Sequence, residues 1–413
     1  MCRGVRVNGP VRPESVAVRK LVITQLALWV AGGALFRVAV VPPESCPQAT
    51  PDEVRAAAVA AGDWLVRNMA DDGRFLYGYD RATGLANPAY NIVRHAGAVA
   101  ALYQLVLADE TRFLAPADRS LGWLQANVIE ADGWAAIAEP GARAQLGTAG
   151  FTIVALLRRA AIAGDAASND LAATMGGFVI AQQQTDGSIL AFWDPETGAA
   201  SPDEYGIYAT GEALWALEEL AAVDPGGPWG NAASATFGYL ISGARERKEG
   251  WGTRQPDHWA AYALEAAGRR GLDDDQVGYA ERLAGYFSLR LRIESQRTGR
   301  GMNVAVRGHP GPPAGVGTAG EGMAALYRLA EAEPRLGELL ADMAERLACV
   351  AGLMVDQQVT SEAAGRGAPG ASQAASAEEG AWFYRDYTQV DDQQHVISLL
   401  LGAEHAMRSE PAP

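Results

Sequence analysis

Acidic residues and histidines recur in this sequence just before, or within the first turn of, apolar segments, where they could carry out acid–base chemistry. Asp257 and Asp391 stand at two such positions, and His95 and His395 stand at two others. Hydrolysis of a glycosidic bond requires one carboxyl group as proton donor and a second carboxylate across a gap. Asp257 and Asp391 are therefore the predicted pair for hydrolysis. His95 and His395 are the acid–base candidates for removal of a proton beside a carboxylate.

A wider set of polar and aromatic residues occupies the loops and helix starts around these four. Carboxylates, amides and arginines fix the polar groups of a ligand, and aromatic rings offer flat apolar surfaces that suit the faces of sugars. Arg94 and Arg385 are suited to neutralise the charge of a uronate. The predicted binding residues are Tyr79, Asp80, Asn91, Arg94, Trp193, Tyr208, Glu212, Trp251, His258, Trp259, Glu321, Trp382, Tyr384 and Arg385.

Several of these residues also have a purely structural interpretation. Asp257 and Asp391 lie where helix N-caps are expected, and a carboxylate there satisfies free backbone N–H groups. His95 lies one turn inside its helix and could be a hydrogen-bonded core histidine. His95, His258 and His395 together could hold Zn²⁺, but no H-x-x-x-H or C-x-x-C spacing supports such a site. The sequence therefore predicts no metal and no cofactor.

The segments that must position these residues are helical. Strand-type alternation is scarce and 49% of the residues are hydrophobic, which favours a large all-helical body. Six segments, which begin near residues 91, 148, 208, 257, 318 and 391, are apolar on nearly every side, as buried helices are. Six amphipathic segments precede them in turn. The predicted fold class is all-α, an (α/α)6 toroid of six helical hairpins over residues 52–408.

An acidic residue followed by glycine recurs in four of the predicted turns. The glycines are separated by 60, 54 and 63 residues, and this regularity indicates a repeat architecture. Because glycine tolerates the left-handed conformation that ends many helices, we expect each turn to cap the helix before it. The four pairs are Asp72-Gly73, Asp132-Gly133, Asp186-Gly187 and Glu249-Gly250.

On these features the chain resembles the six-hairpin glycosidase-like proteins and related α/α toroids, which include sugar epimerases, polysaccharide lyases and terpenoid cyclases. The resemblance covers residues 52–405, and the Q-Q-T-D-G-S turn at residues 183–188 is similar to the Q-x-x-D-G turns of the cyclases. In such a toroid the buried helices run parallel, so their N-termini meet at one end. The resemblance therefore implies that the polar residues gather at one mouth and form a wet functional site.

Hydrolysis of a glycosidic bond in an exported or cell-envelope polysaccharide is the function predicted first. A uronate lyase or sugar epimerase with His or Tyr acid–base chemistry is the second interpretation, and a non-catalytic toroid that binds a glycan or peptide is the third. A terpenoid cyclase fits less well, because cyclases use a D-x-D-D cluster. This chain has only the D-D-D run at residues 273–275, at the start of a predicted outer helix.

Charge and cysteine content narrow the class of partner. The formal net charge of −15 argues against non-specific nucleic-acid binding, which needs clustered Lys and Arg. The three cysteines lack metal-ligand spacing and allow at most one disulfide. The sequence leaves open whether Cys46 and Cys349 pair.

The N-terminal region predicts a membrane partner. Residues 21–41 are apolar except at Thr24, Gln25 and Arg37, and their length suits a hydrocarbon layer of about 30 Å. The basic residues ahead of them predict that residues 1–20 stay in the cytoplasm and that the toroid is exported. An uncleaved anchor is favoured over a signal peptide, although Arg37 shortens the apolar run. Residues 42–51 form a proline-rich linker.

Overall fold

The protein is described here by a computed structural model, in which two compact units are distinguished. The larger unit is Cys46–Ser295 with Gly311–Pro413, and the smaller unit is Met1–Ser45 with Gln296–Pro310. The structure describes residues 13–39, 42–131, 133–249, 257–297, 299, 301–362 and 377–409.

The described chain is mainly helical. In chain order the α-helices are α1 (Pro13–Ala39), α2 (Pro51–Arg67), α3 (Ile92–Leu107), α4 (Leu114–Gln125), α5 (Leu146–Ala163), α6 (Ala166–Gln182), α7 (Ala209–Val223), α8 (Trp229–Ile241), α9 (Ala244–Lys248), α10 (His258–Gly268), α11 (Asp274–Ser295), α12 (Gly301–Arg307), α13 (Pro313–Ala332), α14 (Leu340–Gln357) and α15 (Val390–Ser409). Two 3₁₀ helices, Thr111–Phe113 and Pro334–Leu339, precede α4 and α14.

Six of these helices form a closed inner ring. Helices α3, α5, α7, α10, α13 and α15 pack each against the next, and α15 packs against α3 to complete the circle. Their sequences are apolar on nearly all sides, so they are stable only where other helices surround them. The remaining long helices of the larger unit, α2, α4, α6, α8, α11 and α14, lie outside them. The predicted (α/α)6 toroid is thus confirmed.

Helix α2 illustrates how the outer layer forms. Thr50 and Glu53 make a capping box, in which the Thr50 side chain accepts from the Glu53 backbone and Glu53 accepts from the Thr50 backbone. Ala57, Ala61 and Leu65 follow on one face and are buried against the ring. Polar residues cover the other face, as the amphipathic pattern indicates.

Glycines allow the inner helices α13 and α15 to pack very closely. A Cβ atom at Gly317 would lie 2.7 Å from the Cβ of His395, and one at Gly320 would lie 2.2 Å from Cδ1 of Leu399. Neither distance is compatible with a larger side chain. The G-T-A-G sequence at residues 317–320 therefore serves helix packing.

The acidic-Gly turns have a different role from the predicted one. Helix α2 ends at Arg67, several residues before Gly73, so the turn does not cap the helix. It closes a small β-bridge instead, in which Met69 pairs with Phe75. Gly73 does adopt the left-handed conformation (φ 94°), and the Asp72 carboxylate accepts from the backbone N–H of Arg74. Asp132 and Gly250 lie outside the described residues.

Short antiparallel strands line several of the loops that lead into the inner helices. The strands are β1 (Gly78–Asp80), β2 (Leu85–Ala86), β3 (Val128–Ala131), β4 (Trp134–Ile137), β5 (Ala144–Gln145), β6 (Phe192–Asp194), β7 (Ala199–Ala200) and β8 (Tyr387–Gln389). They form sheets in the orders β2-β1-β8, β3-β4 and β5-β6-β7. Strands β5 and β8 run directly into α5 and α15, so these sheets fix where two inner helices begin.

A disulfide joins Cys46 to Cys349 within the larger unit. It links the segment before α2, the first outer helix, to α14, the last outer helix. The covalent bond therefore spans the seam where the two ends of the helical ring meet.

Two described helices are long and apolar enough to cross a membrane. One is the stretch Ala17–Arg37 within α1, of which no part is buried. The other is α5, which is mostly buried in the inner ring and is a core helix of the toroid. Length and composition thus mark the stretch in α1 as a candidate signal or anchor segment.

Candidate active site

A cavity of about 440 Å³ lies at the N-terminal ends of the inner helices. Every inner helix contributes to its wall near its first turns, as the parallel arrangement requires. The contributions include Arg94 from α3, Gly147 from α5, Glu212 from α7, His258 from α10, Thr318 from α13 and His395 from α15.

Two histidines and a glutamate form the centre of this site. Glu321 lies on α13, which stands between α10 and α15 in the ring. Its Oε1 atom is 2.5 Å from Nδ1 of His395 and 3.5 Å from Nε2 of His258. The two imidazole rings are 5.4 Å apart and nearly perpendicular. Tyr262 donates its hydroxyl to the other oxygen of Glu321 at 3.3 Å.

The two histidines are held in opposite charge states. Burial opposes the charge of His395, but the carboxylates of Glu321 and Asp391 outweigh it and raise the pKa of His395 to about 10. Burial lowers the pKa of His258 well below its usual value, and the positive charge of His395 lowers it further. Nε2 of His258 has no hydrogen-bond partner in the described chain. The cavity thus contains an imidazolium and a neutral imidazole close together.

Asp391 links His395 to Arg94. Its carboxylate oxygens lie 3.4 Å from Nε2 of His395 and 3.3 Å from Nε of Arg94. Burial acts to raise the pKa of Asp391, but the charges of His395 and Arg94 reverse the effect and lower it. Arg94 is held further by Tyr77 at 2.6 Å and Gln389 at 3.0 Å. Asp391 is therefore ionised, and its charge is shared between two cations.

Glu212 differs from the other carboxyl groups because it has no hydrogen-bond or ion-pair partner among the residues that the structure describes. It lines the cavity and is 7% exposed, yet it makes no hydrogen bond or ion pair with any residue in the described parts of the chain. Burial, and then the negative charges of Asp257 and Asp391, raise the pKa of Glu212 to about 8. The positive charges of His395 and Arg245 act in the opposite direction. Glu212 is thus mainly a neutral carboxylic acid at pH 7.

Aromatic residues supply much of the remaining wall. Trp259 and Tyr208 line the cavity, as do Phe151, Phe192 and Phe287. Trp259 is held from behind by the stacked ring of Trp215, whose centroid is 5.6 Å away. The wall therefore combines flat apolar surfaces with a few charged groups, which is usual for small-molecule sites.

Asp257, one of the two predicted catalytic carboxylates, does not line the cavity. It is the N-cap of α10 and accepts from the backbone N–H groups of Trp259 and Ala260. It also forms an ion pair with the buried Arg245, which binds Glu249 as well. This position fits the structural interpretation of Asp257, because its lone pairs are used by the protein itself.

His95 also lies outside the cavity lining. Its Nδ1 is 2.6 Å from the Tyr90 hydroxyl, and its Nε2 is 3.1 Å from the backbone oxygen of Ser120. Its ring packs against Trp123, with centroids 4.6 Å apart. Burial lowers the pKa of His95 to about 4. These contacts agree with the structural interpretation of His95 as a core histidine whose ring nitrogens are both hydrogen-bonded.

The other predicted site residues divide into two groups. Asn91, Arg94, Tyr208, Glu212, His258, Trp259, Asp391 and His395 line the cavity, and Glu321 contacts its two histidines. Trp251 lies outside the described residues. The predicted residues that do not line the cavity are Tyr79, Asp80, Trp193, Trp382, Tyr384 and Arg385, together with Asp257 and His95.

The positions in this second group have clear reasons. Tyr79, Asp80 and Trp193 are strand residues in β1 and β6, and Asp80 accepts from backbone N–H groups in the turn after β1. Trp382 is buried and donates to the backbone oxygen of Met354 at 2.7 Å. The guanidinium of Arg385 lies beside the ring of Tyr384.

Some cavity residues were not predicted from the sequence. Phe287 and Arg290 come from the C-terminal half of α11, an outer helix, and Arg290 has no ion pair among the described residues. Outer helices run antiparallel to inner ones, so their C-terminal ends reach the same mouth. Phe287 and Arg290 are three residues apart, which places them on the same face of α11. This spacing could have identified both as residues of one site. Gln394, beside His395, was also missed.

His258, Glu321 and His395 have donor atoms within 4.8 Å of one another, which is close enough to bind a metal ion. The three imidazoles considered from the sequence do not converge, since His95 belongs to a separate cluster. A metal would have to displace the proton between Glu321 and His395, whose atoms are 2.5 Å apart. The hydrogen-bonded arrangement favours an acid–base cluster.

No family model matches the sequence, and no curated protein sequence matches it significantly. Solved structures do match. A cellobiose 2-epimerase from Spirochaeta thermophila has 14% sequence identity and a TM-score of 0.59, with 87% of this chain and 98% of that chain covered. A D-mannose isomerase has 10% identity and a TM-score of 0.57, covering 87% and 97%. An unsaturated glucuronyl hydrolase specific for heparin has 12% identity and a TM-score of 0.54, covering 86% and 97%.

These likenesses establish the class of fold. The chain shares the (α/α)6 toroid fold with these structures, in agreement with the fold expected from the sequence. At this level of identity the likeness concerns the fold. The reaction has to be argued from the cavity.

Proposed function

We propose that this protein is a sugar epimerase or isomerase that moves a proton at C2 of a reducing sugar. The observation that carries the proposal is the pair of imidazoles in one cavity, with ring centroids 5.4 Å apart and with pKa values shifted in opposite directions. Removal and return of a proton beside a carbonyl group needs a base, an acid and stabilisation of the enediolate between the two steps. His258 and His395 supply these functions.

His258 is the base in this proposal. Its Nε2, which makes no hydrogen bond with the described residues, takes the proton from C2 of the open-chain aldose, and the electrons of the C–H bond form the enediolate. His395, as an imidazolium, stabilises the enediolate oxygen and then donates a proton. Donation to the opposite face of C2 restores the C1 carbonyl and gives the epimer. Donation to C1, with transfer of the O2 proton to O1, forms the C2 carbonyl and gives the ketose. Glu321 keeps His395 protonated and in place, so it is a positioning residue.

The cavity and the structural relatives support a small carbohydrate as the substrate. A volume of about 440 Å³ falls among small-molecule sites, and aromatic walls suit sugar faces. Two of the matching structures are a cellobiose 2-epimerase and a D-mannose isomerase. The sequence favoured hydrolysis over epimerisation. The position of Asp257 outside the cavity instead supports epimerisation or isomerisation over hydrolysis.

A panel of neutral and acidic reducing sugars would test this proposal. We expect the wild-type protein to convert at least one aldose into its 2-epimer or ketose, detected by chromatography. His258→Gln and His395→Gln should each abolish the conversion. The matched control is His405→Gln, because His405 lies near the far end of α15 and is bound to Glu331. Release of new reducing ends without epimer or ketose would contradict the proposal.

Hydrolysis remains the second candidate because of one observation. Glu212 and Asp391 both line the cavity, and the pKa of Glu212 is raised to about 8 while that of Asp391 is lowered. A neutral acid and a carboxylate in one cavity are the requirements of a glycosidase. In that case both carboxyl groups would be essential and His258→Gln would remain active. A uronate lyase is less favoured, since Asp391 already neutralises Arg94.

We further infer that the toroid, residues 52–408, works outside the cytoplasm. Residues 21–41 would be the membrane anchor, residues 1–20 the cytoplasmic end and residues 42–51 the linker. The Cys46–Cys349 disulfide supports an oxidising compartment, and the unburied apolar stretch of α1 supports an anchor. Protease treatment of intact spheroplasts should digest the toroid. Full protection of the toroid would contradict the inference.

A further inference from the structure

Glu212 is a nearly buried acid without a partner in the described part of the chain. The residue is 7% exposed, lines the cavity, and has no hydrogen bond or ion pair with any described residue. Burying a polar group without a partner costs stability. The cost is offset when a ligand supplies the missing hydrogen bond.

The neighbouring helix is shaped to leave room for this carboxyl group. A Cβ atom at Gly147 of α5 would lie 2.1 Å from Oε2 of Glu212, so any side chain there would displace the carboxyl. A Cβ atom at Gly150 would lie 2.8 Å from the backbone oxygen of Glu212. Helices α5 and α7 thus approach closely at these glycines, and the position of Glu212 is fixed by packing.

The reaction proposed above requires a step that the histidines do not supply. Reducing sugars exist mainly as closed rings, in which C1 has no carbonyl group to acidify the proton on C2. Ring opening requires a proton on the ring oxygen O5 and loss of the proton on O1. A neutral carboxylic acid held in the cavity is suited to the first transfer, and an ionised carboxylate is suited to the second.

We propose that Glu212 is a catalytic residue that opens the pyranose ring of the substrate. Its carboxylic acid donates a proton to O5, the C1–O5 bond breaks, and the bonding electrons remain on O5 as a hydroxyl group. The O1–H proton passes to the Asp391 carboxylate, and the O–H electrons form the C1 carbonyl. Ring closure of the product reverses both transfers and restores both groups. The inference rests on the proposed function.

Mutarotation isolates ring opening from the chemistry at C2. We would dissolve crystalline α-D-glucopyranose and α-D-mannopyranose with the protein and follow optical rotation. The wild-type protein should accelerate anomer exchange. Glu212→Gln should reduce this acceleration about 100-fold or more. Glu219→Gln is the matched control, because Glu219 lies on the same helix and binds Arg269 outside the cavity.

A second measurement keeps the proposal testable if Glu212→Gln folds poorly. In the wild-type protein the acceleration of mutarotation should fall as pH rises through about 8, where Glu212 loses its proton. The charges that act on Glu212 are those of Asp257, Asp391, His395 and Arg245. Glu212→Asp, which keeps the acid but shortens its reach, should lose mutarotation more than it loses stability.

The outcomes separate the two proposals. Wild-type rates of mutarotation in Glu212→Gln would overturn the ring-opening role, and so would conversion at C2 by a wild-type protein that does not accelerate mutarotation. Accelerated mutarotation without any conversion at C2 would instead overturn the proposed function and leave the role of Glu212 intact. Absence of both activities would overturn both proposals.

Discussion

At the scale of single residues, the site depends on which of two similar aspartates, Asp257 or Asp391, lies in the cavity beside a histidine. Asp257 and Asp391 look alike in the sequence, since both precede an apolar helix. In the structure Asp257 is bound by Arg245 and by backbone N–H groups, whereas Asp391 lines the cavity beside His395. Sequence alone does not distinguish them, because Arg245 belongs to a different helix, α9, whose position depends on tertiary packing.

Replacement of Glu321 by Gln should change the charge of His395. The Glu321 carboxylate helps to hold the pKa of His395 near 10, above the ordinary value of about 6.5. In Glu321→Gln we expect His395 to lose its proton at lower pH and kcat to fall about 100-fold at neutral pH. NMR titration of the imidazole and the pH profile of kcat would measure both effects. An unchanged pKa of His395 would contradict the assignment of Glu321 as a positioning residue.

The contact between Glu321 and His395 also makes the stability of the protein depend on pH. The direction of this dependence follows from the raised pKa of His395. The contribution of the His395 charge is fully present below about pH 6.5 and is lost as pH rises through about 10. Wild-type stability should therefore decline in this interval. Glu321→Gln should show a smaller decline in chemical denaturation experiments.

Replacement of Asp257 by Asn should affect stability more than chemistry. Asp257 is 1% exposed and forms an ion pair with the buried Arg245, so the substitution removes this pair and leaves Glu249 as the remaining carboxylate partner of Arg245. We expect a loss of about 1–3 kcal/mol in the free energy of unfolding, as for a lost hydrogen bond to a charged group. The folded fraction should keep the wild-type pH profile of kcat. Complete loss of turnover in a protein of wild-type stability would contradict this structural role and support the sequence-based prediction that Asp257 is catalytic.

At the scale of helices, close packing of α13 against α15 brings Glu321 to His395. The sequence shows the G-T-A-G repeat but not its purpose, because a motif at a helix start can serve capping, binding or packing. Asp392 adds to this contact by accepting from the backbone N–H of Ala314, at the start of α13. Two inner helices are thus tied together at the site.

Gly320→Ala should separate these two helices. Its Cβ would lie 2.2 Å from Leu399, which requires α13 or α15 to shift, and such overpacking typically costs about 1–3 kcal/mol. Thermal denaturation should show a lower Tm. Gly285→Ala in α11 is the matched control, since a Cβ there meets no atom within 4 Å and alanine favours helix. An equal Tm in the two variants would contradict the packing role.

Five of the six predicted starts of the inner helices lie within two residues of the observed ones, whereas α13 begins at Pro313, five residues before the predicted start near residue 318. The short strands in the loops were not predicted. Helical periodicity over many residues is a strong signal, so the twelve toroid helices and their inner and outer roles follow from it. Strands such as β2 and β5 have two residues each and show no pattern of their own. Their pairing depends on distant partners, as where Ala144 pairs with Trp193.

At the scale of the whole molecule, the toroid is a ring whose ends must be joined. Inner helix α15 packs against α2 and α3, and the Cys46–Cys349 disulfide crosses the same seam. The spacing of the cysteines did not show whether they pair, because their proximity results from ring closure. A bond that connects residues 303 positions apart strongly restricts the unfolded chain.

Removal of this disulfide should therefore lower stability without changing the reaction. Cys46→Ser combined with Cys349→Ser should reduce the free energy of unfolding by about 2–4 kcal/mol. Reduction of the wild-type protein with dithiothreitol should have a similar effect on Tm, and should not lower the Tm of the double variant. A double variant as stable as the oxidised wild-type protein would contradict this account of the seam.

Deuterium exchange tests the central claim most directly, since that claim concerns one proton. The protein would be incubated in D₂O with the aldose that it converts, and both substrate and product would be examined by ¹H NMR. We expect deuterium at C2, with loss of this exchange in His258→Gln and in His395→Gln. Conversion of the sugar with full retention of the original hydrogen at C2, or exchange that persists in His258→Gln, would contradict proton transfer by these two histidines.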